Sequence, residues 1–204
     1  MNRWLLIPLG VALLQTGCSQ GNETVTVTGS PQSPVTPAVE TTLAQSDVSF
    51  LHKAARGGRM EVELGRMAVE RAGSEDVRRF GERMIRDHSR ANDNLVDLAD
   101  RKALTLPREL AAEQQDMIRH LTELRGVDFD RAYMRHMVED HEQDVALFRR
   151  MADDAADPDV RAFAAQTLPV LEEHLRLARE IHGRLGGARG GEQTGAATQP
   201  AQRG

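Results

Sequence analysis

Apolar residues through the middle of the chain recur at spacings of three and four, and no segment alternates with period two. The first such segment runs from Asp47 to Ala72. Leu51, Ala54, Ala55, Gly58, Glu61, Val62, Gly65, Ala68 and Ala72 share one stripe, and Arg59, Glu63, Arg66 and Glu70 lie opposite. Asp47 is the expected cap and Gly73 the stop. Ser74 then opens a second helix to about Lys102, with Val77, Phe80, Met84, His88, Leu95 and Leu98 inward. A shorter helix is expected from Pro107, carrying Leu110, Met117, Leu121 and Leu124 and ended by Gly126. Asp128 caps the fourth, whose stripe is Tyr133, Met137, His141, Phe148 and Met151. Asp157 and Pro158 start the last, with Val160, Phe163, Thr167, Leu171, His174, Ala178 and Ile181 inward and a kink expected at Pro169. Four long amphipathic helices predict an all-α, up-and-down four-helix bundle. The extra short helix sits in the crossover between the second and third long ones.

Composition narrows this picture only a little. Aromatic residues are 3% of the chain and the formal net charge is -5, so a nucleic-acid partner is not expected. The flanks differ in kind. Arg3 followed by "WLLIPLGVALL" reads as an export signal, too short to span a bilayer. "LQTGCSQ" then resembles the lipobox of bacterial lipoproteins: Thr16 and Gly17 fit, whereas Gln15 stands where that pattern has an aliphatic residue. The resemblance implies lipidation of Cys18 and a membrane anchor in the periplasm or outer membrane. Cleavage as an ordinary secretory signal is the other reading. The expected organisation is a signal over 1–18, a Ser/Thr/Pro-rich tether over 19–46, the bundle over 47–185 and a Gly-rich tail over 186–204. Cys18 is the sole cysteine, which excludes a disulfide or thiolate metal site in the bundle.

The chemistry concentrates on two similar stretches, "RMIRDHSRANDNLVDLAD" and "HMVEDHEQDVALFRRMAD". Phe80–Asp100 aligns with Tyr133–Asp153 without a gap, pairing Asp87 with Asp140 and His88 with His141. Either a helix-pair duplication or two helices under one packing demand accounts for it. His88, His141 and His174 fall on apolar stripes, and Glu61 shares the small-residue stripe of the first helix. Counted from their caps, all four lie near mid-height. Three imidazoles and one carboxylate at one level can hold Zn²⁺, Fe²⁺, Mn²⁺ or Cu²⁺. Asp87, Asp140, Glu173 and Asp144 are candidates to hydrogen-bond those ligands from neighbouring helices. A buried polar layer that specifies helix register without metal fits the same pattern. His136 is expected in a surface pair with Asp140, and the methionines as core filler. No nucleophile–base pair or phosphate loop supports an enzyme, and a protein partner is not legible.

"FLHKAARGGRMEVELGRMAVERA", "VRRFGERMIRDHSRANDNL", "GVDFDRAYMRHMVEDHEQDVALF" and "LPVLEEHL" together resemble the bacterial domain-of-unknown-function family 4142. The resemblance covers roughly residues 48–182. It implies a ferritin-like bundle and an exported or outer-membrane location, and it lends no activity. Di-iron bundles of the ferritin type use Glu-x-x-His on two helices. Here Ile85, Val138 and Leu171 stand three residues before the three histidines, so a carboxylate-bridged di-iron site and its oxidoreductase chemistry are not expected.

Overall fold

The computed structural model describes residues 42–192, with side chains to Gly186. The signal, Cys18 and nearly all of the tether lie outside these residues. Five helices follow one another: α1 (Gln45–Arg71), α2 (Glu75–Arg101), α3 (Ala112–Thr122), α4 (Gly126–Asp154) and α5 (Pro158–Glu192). The fold is all-α, and the four long helices form the expected bundle with α3 in the crossover. None of the described helices is long and apolar enough to cross a membrane.

Helix starts follow local chemistry in two cases. The Ser74 hydroxyl accepts from the Asp76 amide at the start of α2, and the Asp157 carboxylate accepts from the Asp159 and Val160 amides at the start of α5. Other boundaries differ from the sequence reading. α1 begins before Asp47, α3 begins at Ala112 rather than Pro107, and α4 begins at Gly126 rather than after Asp128. Gly126 adopts φ 58°, a backbone state natural for glycine, as the chain turns into α4. α5 continues past Leu185 to Glu192, through glycines that by themselves disfavour a helix. It also runs on through Pro169; the Ala165 carbonyl, which that residue cannot serve, belongs to an exposed residue and is open to water.

α2 ends in a left-handed cap. Ala103 sits at φ 51°, its amide bonds the Asp100 carbonyl, and the Leu104 amide bonds the Ala99 carbonyl. An alanine there carries strain that glycine does not. Ala103→Gly is expected to stabilise the protein by about 0.5–1 kcal/mol, read from the urea midpoint; a lower midpoint contradicts it.

Two buried aspartates define how the halves join. Asp47, in the first turn of α1, accepts from the Ala156 and Asp157 amides in the α4–α5 turn (3.3 and 2.8 Å). Asp130, just past the first turn of α4, accepts from the Gly73 and Ser74 amides in the α1–α2 turn (3.0 and 2.8 Å). So α1 and α5 start at one end of the bundle, and α2 and α4 at the other. The helices therefore run up, down, down, up, and the crossover returns the chain along the bundle instead of continuing a simple up-and-down order. Side chains of α1 hold that crossover: His52 reaches the Thr105 carbonyl, Arg59 the Pro107 carbonyl and Arg71 the Thr122 carbonyl.

The two clamps also fix which helices correspond. Asp130 precedes Ala155 by as many residues as Asp47 precedes Ala72. At that same offset Val62, Val77, Arg78 and Phe80 match Val145, Val160, Arg161 and Phe163. Arg78 donates to the Ala72 carbonyl, and Arg161 donates to the matching Ala155 carbonyl. The hairpin α1–α2 thus corresponds to α4–α5. The Asp-His alignment pairs α2 with α4, which occupy different places in their hairpins, and so reflects packing demand rather than a copied helix pair.

The core is in two parts. One holds Met60, Leu64, Phe80, Met84, Tyr133 and Met137 at the end where α2 and α4 begin. The other holds Phe50, Leu51, Leu95, Phe148, Phe163 and Leu171 at the opposite end. Burial of these side chains, worth about 1.5–3 kcal/mol each, dominates the stability of the bundle. Between the two parts lies a polar layer.

Candidate metal centre

Each long helix delivers one residue to that layer: Glu61 from α1, His88 from α2, His141 from α4 and His174 from α5, all buried. The three imidazoles form a triangle with ring centroids 5.8 Å (His88–His141), 5.3 Å (His88–His174) and 5.4 Å (His141–His174) apart. One ring nitrogen from each lies within 4.8 Å of the others.

Hydrogen bonds decide which nitrogens are available. His141 Nδ1 is 3.0 Å from the Met137 carbonyl, which can only accept, so Nδ1 carries the proton. His174 Nε2 is 2.9 Å from the Asp87 carboxylate and donates to it. That leaves His141 Nε2 and His174 Nδ1 with lone pairs, and neither has a partner; His88 Nε2 is also buried and unpartnered. A carboxylate or carbonyl that fixes one imidazole nitrogen so that the other can ligate is the usual support of a metal-bound histidine.

The electrostatics point the same way. Burial, with the neighbouring imidazoles, holds His88 well below the ordinary histidine range. Burial also takes His141 down to about 4, against the pull of Asp140, and it lowers His174 despite the Asp87 bond. All three rings are therefore neutral at pH 7, the form a metal ion requires.

A second group overlaps the first. Oxygens of Glu61 and Asp140 and a nitrogen of His141 lie within 4.8 Å of one another. Glu61 is fully buried and both of its carboxylate oxygens lack a partner. Burial above all, then Asp140 and Asp144, pushes its carboxyl well above the usual range. Asp144, one turn beyond Asp140, is pushed up to about 8 by burial and by the Asp140 charge. The Tyr133 hydroxyl is buried without a partner, and burial followed by the Glu61 charge raises it well above its ordinary value.

All four residues expected inside are inside. Of the flanking acids, Asp87 reaches across to His174, whereas Asp140 and Asp144 join Glu61. Glu173 does not take the role expected of it: it faces outward, bonded to Arg176 at 2.8 and 2.9 Å, with Arg83 at 4.0 Å. His136 is half-buried rather than a surface residue, and it makes no hydrogen bond with Asp140. Asp47 and Asp130 were not expected as buried anchors; the only sequence hint was an acid near the start of each helix.

Four long helices that meet in one buried layer of imidazoles and carboxylates define a helical-bundle protein with a candidate metal centre. The domain of unknown function DUF4142 matches residues 32–181, and the chain belongs to that family. No curated protein matches it. Among solved structures, a DUF305 fragment from Deinococcus radiodurans is similar at 18% identity and TM-score 0.62, covering 70% of this chain and 98% of that one. A DUF305 protein from Streptomyces coelicolor, predicted to be secreted, is similar at 16% identity and TM-score 0.59, covering 69% and 94%. At these identities the likeness establishes the shared fold.

Proposed function

We propose that this is an exported bundle protein that binds one transition-metal ion in its core, in envelope metal handling or stress defence. His88, His141 and His174 supply three nitrogens and Glu61 an oxygen. The observation that carries the reading is the set of unpartnered atoms: three ring nitrogens and two carboxylate oxygens, buried together. A buried polar atom without a partner costs about 1–3 kcal/mol, and this many in one layer calls for a ligand. Imidazole with carboxylate suits Zn²⁺, Fe²⁺, Mn²⁺ or Cu²⁺. Export rests on the signal-like N-terminus, and anchoring to a membrane on lipidation of Cys18; the similar Streptomyces protein, predicted to be secreted, is consistent with export.

A metal-free reading has its own support. The bonds His141–Met137 and His174–Asp87 need no ion and can fix helix register by themselves. The layer would then be structural, in a module that binds another envelope protein. Metal analysis of tag-free protein separates the two. One ion per chain is expected in the three-histidine centre after incubation with Zn²⁺, Fe²⁺ and Cu²⁺ in turn, and a His88→Ala/His141→Ala variant is expected to lose it. A parent protein that retains none of the three refutes the metal centre.

A further inference from the structure

A cleft of about 630 Å³ opens between α1, α4 and the start of α3, lined by Lys53, Arg56, Gln114, Asp140, Asp144 and Arg150 among others. Its floor is acidic. Asp140 and Asp144 face it, and Asp140 in turn lies within ligand distance of Glu61 and His141. Asp144 also lines a small void of about 20 Å³ beside His88, Gly58 and Asn92. A space of that size has room for one water or one small ion. Asp144 is thus the residue common to the outer cleft and the inner void.

The geometry points to a second cation site, formed by Glu61, Asp140 and Asp144, through which divalent cations pass between the α1–α4 cleft and the three-histidine centre. The inference builds on the metal-binding reading and adds a route and a separate ligand set to it. Acidic residues in a group are common without an ion. Here, however, one member is a fully buried glutamate whose two oxygens have no hydrogen-bond partner, in a group that shares His141 with the three-histidine centre. Three carboxyls crowded in such a place cannot all be ionised without a counter-charge, which a dication supplies in exchange for their protons.

The ligand chemistry differs from that of the histidines. An all-oxygen set suits hard, partly hydrated ions such as Mn²⁺, whereas imidazoles suit softer ones. His141 belongs to one ion at a time, since its Nδ1 is committed to the Met137 carbonyl and only Nε2 is available. A cation on the carboxylates can therefore exchange water for imidazole by moving a few ångströms. The two hairpins also supply the site in matched fashion: Asp144 stands at the position in α4 that Glu61 holds in α1. The rim of the cleft is cationic, carrying Lys53, Arg56 and Arg150, so the attraction for a dication is confined to the floor.

The test uses the full chain, stripped of metal by chelation and titrated with Mn²⁺, with free Mn²⁺ followed by its EPR signal. The parent is expected to take up Mn²⁺, and His88→Gln/His174→Gln to do so within about threefold of the parent affinity. Asp140→Asn/Asp144→Asn is expected to weaken it at least tenfold, and Glu61→Gln to weaken it likewise. These amides are isosteric and relieve repulsion, and circular dichroism confirms that each variant is folded. No uptake by the parent, loss in the histidine variant, or parent-like titration in both carboxylate variants would overturn the proposal. A parallel Co²⁺ titration, read from visible absorption, reports on the histidines alone. If His88→Gln/His174→Gln binds Co²⁺ as the parent does, the three-histidine centre fails while the carboxylate site stands.

Discussion

Metal-free protein is expected to melt at least about 4 °C lower at pH 9 than at pH 7, and a saturating transition-metal ion to abolish the difference. The reason lies in the carboxyls of the polar layer. Glu61 is raised well above its ordinary value and Asp144 from 3.8 to about 8, both chiefly by burial. An acid raised in this way keeps its proton in the folded state while the unfolded chain has lost it. The folded state then binds more protons, so stability falls as pH rises through the window between the two values. Each such proton changes stability by about 1.4 kcal/mol per pH unit, so Asp144 alone contributes about 1.4 kcal/mol between pH 7 and pH 9, and Glu61 acts in the same direction. For a domain of this size that corresponds to at least about 4 °C. The histidines act in the opposite direction at lower pH. His88, His141 and His174 are lowered, His141 to about 4, so the unfolded chain takes up protons that the folded one refuses. Stability falls as pH drops below about 6.5, and the maximum lies near neutrality. A bound dication displaces the carboxyl protons and adds binding energy, about 2.7 kcal/mol at a hundredfold excess over Kd. Thermal melts from pH 5 to pH 9, with and without metal, measure this. A metal-free melting temperature that is flat or rising from pH 7 to pH 9 refutes it.

Gly81→Val is expected to cost about 3 kcal/mol or more and to shift the guanidinium midpoint accordingly. α1 and α2 come into close contact where Gly65 faces Gly81. A Cβ on Gly81 would stand 2.7 Å from the Ala68 Cβ and 2.8 Å from the Gly65 carbonyl oxygen. Neither is the tip of a flexible side chain, so the helices must part, and valine adds two further methyl groups. Parting them disturbs the apolar cluster of Leu64, Ala68, Phe80 and Met84 and, one turn on, His88. Gly57 is the control: nothing lies within 4 Å of its Cβ position, and Gly57→Ala is expected to stabilise by about 0.5–1 kcal/mol through helix propensity alone. A Gly81→Val protein within 1 kcal/mol of the parent would mean that the crossing is loosely packed.

The helices were legible because each carries an apolar stripe long enough to set its rotation. The same stripes placed Glu61, His88, His141 and His174 inward. Ser74 and Asp157 were legible as caps because they act within a few residues of themselves. The flanking acids were harder. Asp87 and Glu173 each precede a histidine, yet Asp87 reaches a neighbouring helix and Glu173 is held outside by Arg176. Neighbours on a helix differ by about 100° of rotation, and what stands on the adjacent helix decides which one turns in. Asp47 and Asp130 were misread or missed for a related reason. Their partners lie in the turn of the other hairpin, too far along the chain for local chemistry to indicate.

Those two aspartates have a consequence for what kind of object the bundle is. Each hairpin brings an acid that the other hairpin's turn needs, and a turn of its own that needs the other's acid. A single hairpin cannot satisfy itself, but two copies of one hairpin facing each other could satisfy both. The chain therefore has the logic of a homodimer whose subunits have been fused, with the crossover as the join. Linked halves are free to differ where they meet in the middle: the acids are matched as Glu61 and Asp144, while His141 holds in α4 the position that Gly58 holds in α1. A symmetric pair could present only matched sets of ligands, and the linked one presents an uneven triangle.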